Sequence, residues 1–231
     1  MQPVMQHPWN ITPTEALNLQ LRLSSLVVKE DQLGPIVRIA GIDVAYHKDS
    51  DTLVASAVVV DAESLEVIEE QALAGKASFP YVPGLFSFRE LPSISTLLAN
   101  LKCRPDLIIC DGQGIAHPRR FGLASHLGVL YDIPTIGCGK SRYIGEYDMP
   151  LEARGCQTGL YDGVEQIGAV LRTQQNIKPV FVSIGHRISL KTACQWILKT
   201  TRKYRLPETT RLADRYGRQL YENRPSIERL G

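Results

Sequence analysis

No stretch of this chain comes near the run of roughly 18 apolar residues that a membrane-spanning helix requires, so no membrane association is expected. The first ten residues, MQPVMQHPWN, lack the basic start and apolar run of a secretory leader, which points to a cytoplasmic protein. Cysteine is scarce and odd in number. Cys103, Cys110, Cys138, Cys156 and Cys194 form no CxxC pair, which argues against a zinc ribbon or a disulfide framework and for reduced thiols. A large charge of one sign is missing as well, the formal net charge being +2. The charge is nonetheless uneven. Residues 178–231 hold 12 Lys+Arg against 4 Asp+Glu, while residues 1–177 hold 14 against 20. A basic last quarter suits a polyanionic partner, or else forms an ordinary solvated helical surface.

What is present is a globular composition. With 231 residues and 44% hydrophobic content the chain can bury one substantial core. We expect a single domain over residues 1–231, with an N-terminal helix at 12–30 and a core from about 35 to 217. Thr12-Pro13-Thr14-Glu15 has the form of a capping box with proline at the first helical position. The helix it opens is expected to pack on the sheet without a chemical role. Three β-rich runs follow, at 36–46, 52–61 and 65–72, joined by short polar turns that predict antiparallel hairpins. Leu91, Ile94, Leu97, Leu98 and Leu101 give helical spacing to 86–101. A strand at 106–111, a helix at 121–131 and a strand at 134–137 form a strand–helix–strand unit, hence a parallel pair. Residues 164–172 and 179–184 read as another hairpin, and helices are expected at 189–201 and from Glu208 onward. The stretch from Ser141 to Gly163 has no clear pattern; Arg142, Tyr143 and Gly145 within it either follow a nucleic-acid strand or cover the sheet edge. This order, three antiparallel strands and then a parallel extension, is that of an α/β fold with a ribonuclease H-like mixed sheet flanked by helices.

The informative residues stand at particular places in that order. Asp43 lies in mid-strand between Ile42 and Val44, where a charge is costly unless it is paired or binds a metal. Asp111 ends the apolar run Leu107-Ile108-Ile109-Cys110 and is followed by two glycines, His117, Arg119 and Arg120. The outer ends of such strands are where α/β sheets bind ligands, although Asp111 by itself can equally cap its own loop as an Asx-turn. Glu90 sits in the first turns of its helix, where a carboxylate also complements the helix dipole. Asp214 lies among Arg211, Arg215 and Arg218, suited to an i,i+4 pair with Arg218. In the inferred sheet the first and fourth strands are neighbours, so Asp43 faces Asp111, Glu90 leads into the fourth strand, and the last helix returns Asp214. Like charges so gathered repel. Such oxygen-rich sites suit Mg²⁺ or Mn²⁺, and two such ions can clamp an in-line displacement at phosphorus. The residues alone therefore indicate a metal-dependent phosphodiesterase. Gly139-Lys140-Ser141 is not a phosphate loop, because Pro134 stands where the motif needs glycine. Lys140 remains placed for a phosphate or a leaving group. In SFPYVPG, Pro80 and Pro83 stiffen a loop around Tyr81 and Val82. Tyr81 is either a tip that stacks on nucleobases or a packed turn residue.

The sequence also resembles the endonuclease V family of inosine-directed nucleases. The resemblance rests on GIDVAY around Asp43, FPYVPGLFSFRE from Phe79 to Glu90, DGQGIAHPRRFGLASHLG from Asp111 to Gly128, GCGKS at Lys140 and TRLAD at Asp214. It extends over most of residues 35–217. It implies that Asp43, Glu90 and Asp111 bind Mg²⁺, with Mn²⁺ able to substitute, and that Asp214 takes the fourth catalytic position, where some members have histidine. It implies that Tyr81, on a tip built from Pro80, Val82 and Pro83, is a wedge filling the gap left by a displaced base. Gly84, Phe86, Gly112 and Gly122 fall where the family receives the flipped hypoxanthine, and Lys140, His117 and Arg119 near the cleaved strand. The implied reaction hydrolyses the second phosphodiester 3′ to deoxyinosine in DNA repair, leaving 3′-hydroxyl and 5′-phosphate ends; separately, we expect a monomer with no obligatory protein partner. An inosine-specific ribonuclease, a non-catalytic inosine-binding module and a nuclease without lesion preference stay open beside it.

Overall fold

The computed structural model describes residues 1–47 and 51–222. Thirteen elements run in the order α1 (Pro13–Ser24), β1 (Arg38–Tyr46), β2 (Thr52–Asp61), β3 (Val67–Lys76), α2 (Phe86–Asn100), β4 (Leu107–Cys110), α3 (Leu123–Tyr131), β5 (Thr135–Gly139), β6 (Gln157–Asp162), β7 (Glu165–Leu171), β8 (Val180–His186), α4 (Leu190–Thr200) and α5 (Glu208–Glu222). The strands form one eight-stranded sheet in the order β3-β2-β1-β4-β5-β8-β7-β6. Pairing is antiparallel except for β1 with β4 and β4 with β5. This is the expected ribonuclease H-like arrangement.

Alternation along the strands divides the core into two layers. Ile39, Val58, Leu107, Ile109 and Ile136 pack under α4 and α5 with Ala193, Ile197, Leu212 and Ala213. Ala40, Ile42, Ala57 and Ile108 face the other way, against Leu91, Ile94 and Leu98 of α2 and Leu127 and Leu130 of α3. The helices therefore sandwich the sheet, as its doubly apolar central strands require.

Three expectations needed correction. The capping box forms as read, Thr12 and Glu15 bonding reciprocally, but α1 stops at Ser24 rather than near residue 30. Val27 and Val28 are drawn away, Val28 N–H donating to His186 Nδ1 at 3.1 Å and its carbonyl accepting from Arg187 N–H at 2.7 Å. Nor does α1 lie on the sheet: Ala16, Leu19 and Leu23 pack against Phe79, Leu85, Phe88, Phe121 and Val129. The third strand runs 67–76 instead of 65–72, because Leu65 adopts φ +61° in a turn held by the Asp61 carboxylate, which accepts from Glu63 and Ser64. The unassigned excursion contains β6, which pairs with β7 and forms the sheet edge.

Candidate active site and base pocket

The site follows from register. Ile42 of β1 pairs in parallel with Cys110 of β4, so the next residues, Asp43 and Asp111, are neighbours at the end of the shared ladder. Asp111 N–H donates to the Ile42 carbonyl at 3.1 Å. β5 lies beside β4, and Lys140, immediately after it, forms an ion pair with Asp111. On the opposite side of Asp43, Ser56 of β2 donates to the Ala213 carbonyl at 2.8 Å, fastening α5 next to Asp214. Close approach of α5 needs a residue without a side chain beneath it: a Cβ on Gly41 would stand inside the backbone of Thr209. Asp214 itself pairs with Arg218 at 2.9 Å, as the helical spacing predicts. Glu90 enters from α2. Asp43, Tyr46, Phe86, Glu90, Asp111, Lys140, Asp214 and Arg218 together line one cleft of about 660 Å³.

The electrostatics of this cleft are those of crowded, buried acids. Burial pushes Asp43 up from 3.8 to about 7, with the hydrogen bond and negative charge of Asp111 adding to it. Glu90, only 3% exposed, is held well above its ordinary value by burial and by the Asp43 and Asp111 charges. The buried Tyr46 hydroxyl lies close enough to Glu90 for each to perturb the other, but among the described residues it makes no hydrogen bond of good geometry. Lys140 titrates above its usual value although burial opposes this, because Asp111, Asp43 and Asp214 hold the ammonium. Among the described residues no three His, Cys, Asp or Glu side chains stand in a ready coordination sphere; Lys140 supplies the positive charge nearest the acids. The donor chemistry fits a hard divalent cation. Buried carboxylates that resist ionisation for want of compensating charge are what such a cation stabilises.

A second cavity, of about 330 Å³, adjoins the first and shares Phe86 and Asp111 with it. Its other walls include Tyr81, Val82, Pro83 and Gly84 of the proline loop, Gly112, His117 and Gly122 of the segment after β4, and Tyr143 of the excursion. Val82-Pro83-Gly84-Leu85 is a tight turn, Leu85 N–H donating to the Val82 carbonyl at 2.9 Å, with Gly84 at φ +80° where proline-glycine turns need glycine. Tyr81 is 70% exposed and packs edge-on to Phe86. Pro80 is exposed beside it. Arg89, which the sequence did not single out, anchors the base of this loop by donating to the Phe79 carbonyl at 2.7 Å. At Gly122 a Cβ would collide with the Gln113 carbonyl, and Gly122 N–H donates to the Gly114 carbonyl at 2.9 Å.

His117 and Arg119 stand at the back of this pocket. His117 is buried, and burial beside Arg119 drops its pKa to about 4. Its Nδ1 accepts from Arg119 N–H at 3.2 Å, so the neutral ring carries its proton on Nε2 and donates it to the Gly84 carbonyl at 3.0 Å. Arg119 Nη2 donates to that same carbonyl at 2.8 Å. Both side chains are thus engaged with the pocket wall.

A base-sized pocket opening beside an acidic cleft on a ribonuclease H-like sheet is the setting in which relatives can be compared. A sequence profile of the endonuclease V family matches residues 21–215. An endonuclease V of Nostoc sp. is 48% identical over 216 residues, covering 93% of this chain and 98% of its own. This chain belongs to the endonuclease V family. As a member it is an endonuclease, a hydrolase of phosphodiester bonds. The crystal structure of endonuclease V from Streptomyces avermitilis superposes with a TM-score of 0.89 at 47% identity, over 94% of this chain and 96% of that one. Endonuclease V of Ciona intestinalis, crystallised with a 24-mer DNA containing an inosine followed by a ribo-adenosine, superposes with a TM-score of 0.80 at 26% identity, over 90% and 97%. Among the described residues of this chain no helix is long and apolar enough to cross a membrane.

Proposed function

We propose that this protein recognises deoxyinosine, the deamination product of adenine, in DNA. It would hydrolyse the second phosphodiester 3′ to the lesion, leaving 3′-hydroxyl and 5′-phosphate ends for repair. The observation that carries this is the shared wall: Phe86 and Asp111 border both the acidic cleft and the neighbouring pocket. A base extruded into the smaller cavity therefore holds its own strand against the carboxylates. The Ciona relative bound to inosine-containing DNA supports the choice of base. Extrusion costs a few kcal/mol and least for a weakly paired base, which favours an inosine mismatch. Tyr81, exposed on a loop stiffened by Pro80 and Pro83, fills the vacated stack. Gly112 and Gly122 present backbone at the pocket, with space too narrow at Gly122 for any side chain.

In the cleft, Asp43, Glu90 and Asp111 are the residues to hold Mg²⁺, or Mn²⁺ in its place, with Asp214 at the rim. When bound there the ion supplies charge neutralisation and Lewis acidity toward the phosphodiester. Lys140, kept protonated by its carboxylate neighbours, donates to the leaving 3′ oxygen. Arg218 orients Asp214. The protein acts as a monomer, its described residues forming one domain.

The test is a paired cleavage assay on two end-labelled single strands. One carries deoxyinosine and the other ribo-inosine with ribonucleotides on its 3′ side, each incubated with Mg²⁺ and with EDTA. Faster, EDTA-sensitive nicking of the deoxyinosine strand is expected. Faster cutting of the ribo-inosine strand would replace the DNA assignment by an RNA one, and binding without cutting of either would refute the catalytic role.

A further inference from the structure

The α1 helix bears one polar side chain that the apolar packing of its buried face does not explain. Gln20 is 1% exposed, yet every polar atom of its amide is used. Its Nε2 donates to the Gly84 carbonyl at 3.0 Å and to the Phe121 carbonyl at 2.7 Å, and its Oε1 accepts from Arg119 Nε. These partners lie 64 to 101 residues away in sequence. Gly84 belongs to the proline loop that carries Tyr81, and Phe121 precedes Gly122, the N-cap of α3. Gln20 therefore ties together two loops that both line the small pocket, which it also lines. The amide orientation is forced: with oxygen and nitrogen exchanged, oxygen would face two carbonyls and nitrogen a guanidinium.

We propose that Gln20 is a positioning residue for base recognition, acting through Gly84 and Arg119. The inference deepens the inosine-directed reading and rests on it. Three N–H donors, from Gln20, His117 and Arg119, meet at the Gly84 carbonyl. Leu85 N–H, in the same peptide unit, is tied to Val82. The peptide that joins the wedge loop to α2 is thereby fixed at both ends, and the pocket has its width before a base enters. Remove Gln20's amide and Arg119 loses the acceptor of its Nε, Phe121 loses its donor, and the two loops can part. Preorganisation of this kind is spent on discrimination between closely similar bases, because a loose pocket admits the wrong one.

The test uses the full chain and three fluorescein-labelled single strands that differ at one nucleotide: deoxyinosine, adenosine or guanosine. Binding is read by anisotropy in EDTA, so that cutting plays no part, for the parent, Gln20→Met and Leu23→Ala. Leu23 is buried one turn further along α1 without polar contacts and serves as the stability control. Gln20→Met keeps length and apolar packing. It is expected to weaken deoxyinosine binding about tenfold, the effect of roughly one or two hydrogen bonds, and to narrow its preference over guanosine. Leu23→Ala is expected to lower the melting temperature at least as much yet keep the preference. In steady-state nicking, Gln20→Met should raise KM more than it lowers kcat. Unchanged preference in Gln20→Met, or an equal loss in Leu23→Ala, would overturn the proposal. A parent indifferent to the three bases would instead overturn the inosine reading, and this inference with it.

Discussion

Replacing Asp43 by asparagine separates stability from chemistry. In the metal-free protein, burial and the adjoining Asp111 raise Asp43 from 3.8 to about 7. Between those pH values the folded chain keeps a proton that the unfolded chain has released. The folded state then binds more protons, so stability falls as pH rises through this window and is lowest above it. Asparagine keeps the shape and removes the charge. Each pKa unit corresponds to about 1.4 kcal/mol, and relaxation around Lys140 reduces the total, so Asp43→Asn is expected to stabilise the metal-free protein by roughly 1–3 kcal/mol at pH 8 and hardly at all at pH 4. For a chain of this size 2 kcal/mol is about 4–8 °C in melting temperature, readable by calorimetry in EDTA. Added Mg²⁺ should reverse the ranking. At a thousand times its dissociation constant it stabilises the parent by about 4.1 kcal/mol and leaves the variant where it was, while nicking by the variant is lost. A parent whose metal-free stability is flat between pH 4 and 8, or an asparagine variant less stable than it at pH 8, would refute this electrostatic reading of the cleft.

Other substitutions probe single contacts. Tyr81→Ala, at a side chain 70% exposed, should change stability by less than about 0.5 kcal/mol but weaken binding to an inosine-containing duplex by about 1–3 kcal/mol in a titration. Gly41→Ala should cost about 1–3 kcal/mol of stability, because its methyl group meets the Thr209 backbone and lifts α5; by displacing Asp214 it should also lower kcat. Lys140→Met should reduce kcat by about 10²–10⁴-fold in single-turnover nicking with deoxyinosine binding in EDTA preserved, since Lys140 lines the acidic cleft and not the base pocket.

The sheet and its acids were readable because each rests on a local pattern. Asp43 interrupts an apolar strand, Asp111 ends one, and strand order makes them neighbours; the structure pairs Ile42 with Cys110 as that requires. The proline loop declared its stiffness through Pro80 and Pro83. What escaped depends on contacts between distant segments. Gln20 reads as one more polar helix residue until Gly84, Arg119 and Phe121 are folded against it. Ser56 is an unremarked strand serine until α5 arrives over Gly41. The α1 terminus was misplaced because the apolar pattern continues through Val27 to Val28, whose backbone is held by His186 and Arg187. β6 was missed because Gln157–Asp162 is half polar, as an edge strand is, and shows no clean alternation.

The most direct measurement is a nucleotide-resolution cut map. A 5′-labelled single strand with one deoxyinosine and the same strand with adenosine in its place are each incubated with enzyme and Mg²⁺ in single turnover. One product is expected, ending one nucleotide 3′ of the inosine, absent from the adenosine strand and abolished by EDTA. Equal cutting of both strands, or cuts scattered along the inosine strand, would contradict inosine-directed cleavage.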